Sequence, residues 1–517
     1  MKKTTIILLI ITTIIITGIY TVYNIYIRLE KKKQSSTDIK QKEKVISKDL
    51  RIGITNFDTI NPIISNNSNL QNISRLIFEP LINLSYNYKL EPCLAKEWNK
   101  VDKNTYLIKL RENVKWQDGK SFDSNDVIFT VNIIRNLKEK SIYFYNIKDI
   151  KEINKIDEYT IKIIIEDEIP YFEYNLIFPI MSSKYYTEES FTEEKKNIRP
   201  IGTGLYYISD YNNENITLKL NSAWWKKEDS KIDNITINLY DNINKATQDI
   251  EKSNIDLLTT SLKDIDNYVD ETKCNTKTFI GRNYHYIVLN LKYNILKNKK
   301  IRQAISYAIN KDDIINNVYN KKYMKSEFPL DFGSYLYNKN LEKIEYNKSK
   351  AEEILKERNI KNIELKLLVK SNNEDRIKVA NIIKQQLEDI GIKVTIIEKS
   401  EKQYKEDLKN KNFDLCLAEN TYSFSPSLNS YFEDNNLSGY KNNEIIKILR
   451  RIENKSEEDS KKSIEEIIKY YNEDVPYISL YYDTNTIIYS RNLKGEITPN
   501  SYNIFYNIEN WYREYDK

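Results

Sequence analysis

The chain has 517 residues, enough for roughly three domains of ~150 residues each, and a formal charge of +5. Residues 1–48 hold ten basic and three acidic residues, so the rest of the chain is near −2 and lacks the positive field that nucleic acid binding needs. One histidine, His285, three scattered cysteines without a C-x-x-C pair, and no G-x-x-x-x-G-K-S/T or G-x-G-x-x-G loop exclude two-histidine metal sites, zinc ribbons and the common nucleotide folds.

From Thr4 to Ile27 no residue is charged, and Lys2 and Lys3 precede this run. Its 24 residues are long enough to cross a hydrocarbon core of ~30 Å. No small-x-small site and no cysteine follow, so residues 1–29 read as an uncleaved signal-anchor, with a cleaved signal peptide as the alternative. Arg28 and Lys31–Lys33 count toward a cytoplasmic side, so this segment alone does not set the orientation. Residues 30–48, rich in Lys, Gln, Ser and Asp, read as a flexible tether.

Within the body, Tyr106–Leu110 reads as a strand and Asn125–Leu137 as a helix. Ile301–Tyr319 has one apolar stripe and reads as a single helix. The clearest pattern begins at Ile363, where Ile363, Leu365, Leu367 and Val369 alternate as in a strand. A helix over 374–390 ends at Gly391, a residue suited to the left-handed turn that stops a helix. A strand over 392–398, a short helix over 401–409 and a strand over 413–418 follow. This order predicts an α/β doubly wound sheet with right-handed crossovers. Ligands bind beyond the carboxyl ends of such strands, which places a site at Glu419–Ser427 with Tyr422, Phe424 and Pro426.

Several blocks then resemble one family. Ile60-Asn61-Pro62, Ile77-Phe78-Glu79-Pro80-Leu81 and Leu90–Trp98 open the series. Tyr106–Lys120 carries an L-R-x-x-V-x-x-x-D-G segment, with Asn125-Asp126-Val127 behind it. Pro200-Ile201-Gly202-Thr203-Gly204-Leu205-Tyr206 matches a P-x-G-T-G-P-Y turn, with Leu205 in place of proline. Asn221–Trp225 and the helix Ile301–Lys311 complete it. In this order the blocks resemble the peptide/nickel-type (family 5) solute-binding proteins of bacterial ABC importers, over nearly the whole body.

The resemblance implies a two-lobed periplasmic-binding-protein-like fold of cluster C type, with an extra inserted domain. Lobe I would be residues 49–85, 198–283 and 485–517, the inserted domain 86–197, and lobe II 284–484, closing on ligand by hinge motion. Relatives pair the ligand ammonium with an aspartate of a Trp-x-x-Asp element. Here Asn420 stands for the tryptophan and Ser423 for the aspartate, and a hydroxyl gives only the weaker, uncharged bond. That leaves Glu419 or Asp483, after Tyr481 and Tyr482, to supply the charge.

By the same resemblance Tyr143 or Tyr145 is a pocket tyrosine, and Asn66, Thr260 and Ser261 form the lobe I rim. His285 and Tyr286 mark the hinge crossing; Phe424 and Tyr482 complete the expected ligand-binding set. Gly202 and Gly204 serve backbone geometry, and no metal or cofactor is assigned.

The expected function is an extracytoplasmic, membrane-anchored, monomeric protein that performs no chemistry. It captures peptides and hands them to an ABC permease and its ATPase. The alternatives are a nickel chelate or other non-peptide solute, a signalling receptor that kept the fold, and, last, a hydrolase using His285.

Overall fold

The computed structural model describes residues 17–31, 44–227, 230–260, 265, 269–340, 342–357 and 361–516. Residues 17–31, 44–47 and 514–516 belong to one compact unit and Lys48–Arg513 to another. In the first, residues 17–31 are helical, with Ile19, Tyr20, Val22, Tyr23, Ile25, Tyr26 and Leu29 all exposed. Among the described residues no helix is long and apolar enough to cross a membrane. The expected anchor lies largely in residues 1–16 and the tether largely in 32–43, both outside the described residues.

The second unit is built on an eleven-stranded mixed sheet. Its strands include β1 (Asp49–Thr55), β2 (Asn234–Tyr240), β3 (Leu257–Thr260), β4 (Cys274–Leu289), β5 (Ile363–Lys370), β6 (Ile392–Lys399), β7 (Leu415–Thr421) and β8 (Tyr477–Ser490). Their spatial order is β6-β5-β7-β4-β8-β3-β1-β2, and two further strands, Asn215–Leu220 and Tyr206–Tyr211, continue past β2. Near one end β1 runs parallel to both β2 and β3, and near the other β5 runs parallel to both β6 and β7. The long antiparallel strands β4 and β8 join these two parallel sets. A separate four-stranded antiparallel sheet uses Ala95–Lys100, Thr105–Leu110, Thr160–Ile165 and Ile150–Asp157.

The doubly wound segment follows its pattern closely. β5, a helix Glu374–Glu388, β6, a helix Glu401–Asn410 and β7 succeed one another, and Gly391 has φ +84° where the left-handed residue is expected. Two details differ. The stripe over 301–319 is split into Lys299–Ala308 and Lys311–Tyr319, because the Asn310 side chain accepts from Asp313 N–H and starts a second helix. β7 ends at Thr421, not at Ala418, because its ladder with β4 continues through Asn283–Thr421.

The apolar core is divided. One cluster draws on Leu50, Ile77, Trp116, Ile235 and Trp511; two others, drawn from residues 284–482, pack the opposite faces of the β4–β7 sheet. The motif blocks converge inside the first. Glu79, only 6% exposed, accepts hydrogen bonds from Trp225 Nε1 at 2.8 Å, Trp224 Nε1 at 3.2 Å and Thr203 Oγ1 at 2.8 Å. Burial pushes its carboxyl above the usual range, against the pull of those donors. Gly202 and Gly204 lie on the same crossing: a Cβ on Gly202 would meet Ile77 O at 1.8 Å, and Gly204 N–H donates to that oxygen at 2.9 Å. Three distant blocks are thus tied to one carboxylate and one carbonyl.

Candidate functional site

The carboxyl ends of β1, β2, β3 and β7 all open onto one cavity of about 840 Å³. They deliver Thr55, Asp241, Thr260 and Thr421 to its wall, as expected for parallel strands. A helix α1 (Ser68–Ile77) forms one side. Its buried residues Leu70, Ile73, Ser74 and Ile77 face the core, while Ser68, Gln71, Asn72 and Arg75, at helical spacing, line the cavity. Tyr143 leans in and donates from its hydroxyl to Gln71 Oε1 at 2.6 Å.

The opposite wall is made by an interruption in the sheet. Pairing between β4 and β8 shifts between Ile280 and Tyr284, and the Asp483 side chain fills the gap. Its oxygens accept from Asn283 N–H at 2.8 Å and Asn283 Nδ2 at 2.9 Å. A Cβ on Gly281 would approach Asp483 Oδ1 to 2.2 Å, so only glycine leaves room for this carboxylate. Burial raises the Asp483 pKa, partly offset by the Asn283 donors. The loop after β7 adds Ser423 and Phe424, the latter at φ +67° with its ring 5.1 Å from Tyr88 and 5.3 Å from Tyr502.

Of the residues expected to bind ligand, Asn66, Tyr143, Thr260, Ser423, Phe424 and Asp483 line this cavity. Five do not. Because β7 runs on to Thr421, Glu419 and Asn420 are strand residues facing opposite sides of the sheet. Glu419 ion-pairs with Arg376 and, at 3.3 Å, with Lys370; burial opposes its charge, yet Arg376, His285 and Lys370 hold its carboxyl below the usual range. Asn420 donates to Tyr431 Oη at 2.9 Å.

Tyr482 is 1% exposed and donates to Leu330 O at 2.8 Å; Tyr286, equally buried, stacks on Tyr284 at 4.9 Å. Tyr145 is 61% exposed. Ser261 lies outside the described residues. Sequence reasoning missed Gln71, Arg75, Arg282 and Tyr502. The first two sit on a polar helical stripe that reads the same as a solvated face.

Among the described residues the polar chemistry of the wall is that of amides, hydroxyls, two guanidinium groups and two carboxylates, with neither a histidine nor a cysteine. His285 faces Tyr481 and Glu419 elsewhere in the sheet, and burial lowers its pKa to about 4. Cys93, Cys274 and Cys416 are buried. Among the described residues no three His, Cys, Asp or Glu side chains converge as a metal site.

A family model for bacterial extracellular solute-binding proteins, family 5 Middle, matches residues 89–442. The chain belongs to this family. Its family 5 relatives include the oligopeptide-binding protein AppA of Bacillus subtilis, 24% identical over 506 residues, with 90% of this chain and 91% of that one covered. The glutathione-binding protein GsiB of Pectobacterium atrosepticum is 27% identical over 362 residues, covering 67% and 68%.

Among solved structures, the murein tripeptide-binding protein MppA in its unliganded open form superposes with a TM-score of 0.80 at 18% identity, covering 91% of this chain and 99% of that one. NikZ of Campylobacter jejuni with Ni(L-His) gives 0.61 at 24%, covering 90% and 100%. These likenesses establish the mixed α/β periplasmic-binding-protein-like fold. Family 5 proteins bind solutes outside the cytoplasm for transporters, and the cavity's position at the strand ends accords with that role.

Proposed function

We propose that this family 5 protein captures a short peptide in the 840 Å³ cavity and presents it, unaltered, to an ABC permease and ATPase. The observation that carries the reading is the wall itself: Asp483, set beside backbone amides and hydroxyls, faces the same space as α1 and Tyr143. A wall rich in amides, hydroxyls and charged groups, with Tyr143, Phe279, Phe424 and Tyr502 among them, suits a ligand held by its polar backbone. Asp483 takes the ligand ammonium, the role that Ser423 cannot fill.

The two parallel strand sets and the divided core support lobes at 49–85, 198–283 and 485–517 on one side and 284–484 on the other, with 86–197 as the inserted domain. β4 and β8, the strands that join the sets, would act as the hinge. The uncharged run from Thr4 to Ile27, whose last part lies in the helix over 17–31 with Ile19, Val22 and Ile25 exposed, supports an N-terminal membrane anchor with a monomeric body outside the cytoplasm as the reading. Thermal unfolding of the full chain with and without a short-peptide library tests the proposal: a ligand that binds only the folded state raises the Tm. No rise with any pool would refute it.

A non-peptide solute such as a metal chelate is the second reading, favoured by Ser423 at the position where relatives carry the amine-binding aspartate.

A further inference from the structure

We infer that Glu173 and Glu453 work a proton-dependent catch between the chain before β4 and the chain between β4 and β8. The catch holds while Glu453 carries a proton and loosens when both acids are charged. It does not depend on which solute the cavity takes.

The two sides meet away from the cavity wall. One side brings the hairpin tip between Ile82–Leu84 and Leu90–Pro92 and the 3-10 turn Phe172–Leu176; the other brings the loop 331–337 and the end of the helix Asn443–Ile452. Direct contacts join them. Tyr335 N–H donates to Asn87 O at 2.8 Å, and Lys89 Nζ ion-pairs with Glu457 at 3.0 Å. The Tyr88 ring lies against Gly333, where a Cβ would meet it at 2.5 Å. Tyr171, at φ +56°, packs on the apolar cluster that contains Phe432, Ile445 and Leu449.

Glu173 and Glu453 are half-buried in this contact. Glu453 caps the carboxyl end of its helix, where the helix dipole disfavours a negative charge. Among the described residues neither acid has a cation within ion-pair distance, and the lysine whose charge acts on both, Lys100, is bound to Glu168 at 2.9 Å. Burial pushes Glu453 up to about 7, with Lys100 opposing, Glu173 adding, the Tyr171 N–H opposing and Glu168 adding. Burial raises Glu173 as well. The remaining titratable groups facing the pair are the phenols of Tyr106 and Tyr171, which burial keeps neutral.

Parting the two sides returns Glu453 to water and to its ordinary 4.5, so the joined form holds a proton that the parted form releases. The contact is at full strength below about 4.5 and weakens as pH rises through about 7. Because the catch spans the strands that join the two parallel sets, pH biases how freely those sets move against each other.

Hydrogen exchange of the full chain, read by mass spectrometry as protection factors at pH 6 and pH 8, tests this. Protection of residues 333–337 should fall about tenfold across that range while β5 is unchanged. Glu453→Gln keeps the shape without the charge and should hold its pH 6 protection at pH 8. Glu173→Gln removes the neighbouring charge and should move the wild-type transition to lower pH. Each variant takes a charge out of a half-buried site and adds none, so each should fold.

Protection of 333–337 indifferent to pH, or a fall of the same size in Glu453→Gln, would overturn the inference. An equal fall in β5 would overturn it too, by showing that pH acts on the whole fold. A transition unmoved by Glu173→Gln would overturn the pairing of the two acids.

Discussion

Asp483 and Asn283 repair the sheet where β4 and β8 lose register: one carboxylate accepts from the Asn283 N–H at 2.8 Å and from its side-chain amide at 2.9 Å. Asp483 and Asn283 both line the cavity. A strand irregularity is thereby converted into a fixed, part-buried carboxylate on the cavity wall.

Replacing Asp483 with Asn keeps the shape and removes the charge. Free-amine peptides should bind more weakly by about 1.5–3 kcal/mol, the worth of a charge-assisted bond, while N-acetylated peptides should be little affected. Titration calorimetry with both peptide forms reads the difference. An equal loss for both would remove the ammonium role from Asp483.

Gly281→Ala tests the same relationship from the backbone. The new Cβ would stand 2.2 Å from Asp483 Oδ1 and 2.6 Å from Cγ, so the carboxylate must leave its Asn283 donors. The expected cost is about 1–3 kcal/mol of stability, read by urea unfolding, together with weaker peptide binding. Wild-type affinity and stability in Gly281→Ala would show that Asp483 is not held as described.

Glu79 is the corresponding test for the fold. Glu79→Ala leaves two indole N–H groups and the Thr203 hydroxyl without their acceptor, and should cost about 3 kcal/mol or more. Glu79→Gln retains an acceptor and should cost clearly less, since burial already disfavours the charge. Denaturant midpoints of the two variants would separate these cases.

The contribution of His285 to stability should fall as pH drops below neutrality. Folded His285 has its pKa lowered from 6.5 to about 4, by burial first and by Arg376 second, with Glu419 opposing. The unfolded chain therefore binds the extra proton between those values, and stability is lost from about pH 6.5 down to 4, by about 3 kcal/mol. Glu419 acts in a separate window: its folded pKa is lowered, so its contribution is present above its ordinary 4.5 and lost below it. Denaturant unfolding at pH 7 and pH 5 should show a smaller difference in His285→Gln than in the wild type; an unchanged difference would mean that other groups carry it.

The periodic parts of this molecule were legible in its sequence. Ile363–Ala418 reads as strand, helix, strand, helix, strand because each element has one buried face and Gly391 marks a stop. The motif blocks were legible as a resemblance, and the fold gives their physical reason: Glu79, Thr203, Trp224 and Trp225 meet in one buried hydrogen-bond cluster. What could not be read was register. Three more residues of ladder past Ala418 turn Glu419 and Asn420 into strand residues, and the shift at Ile280–Tyr284 brings Arg282 and Asp483 to the cavity. Neither leaves a local signal, since strand ends are set by partners distant in sequence. Arg75 and Gln71 were hidden for another reason: a polar helical stripe has the same spacing against ligand as against water.

The central claim is that the cavity holds a small guest and does not change it. Native mass spectrometry of the full chain purified from its own cells, followed by denaturation and identification of what is released, tests this most directly. The account predicts a stoichiometric peptide that rebinds after release and has the same mass before and after. A purified protein that takes up no peptide from a diverse pool, or one that returns the peptide cleaved, would contradict it.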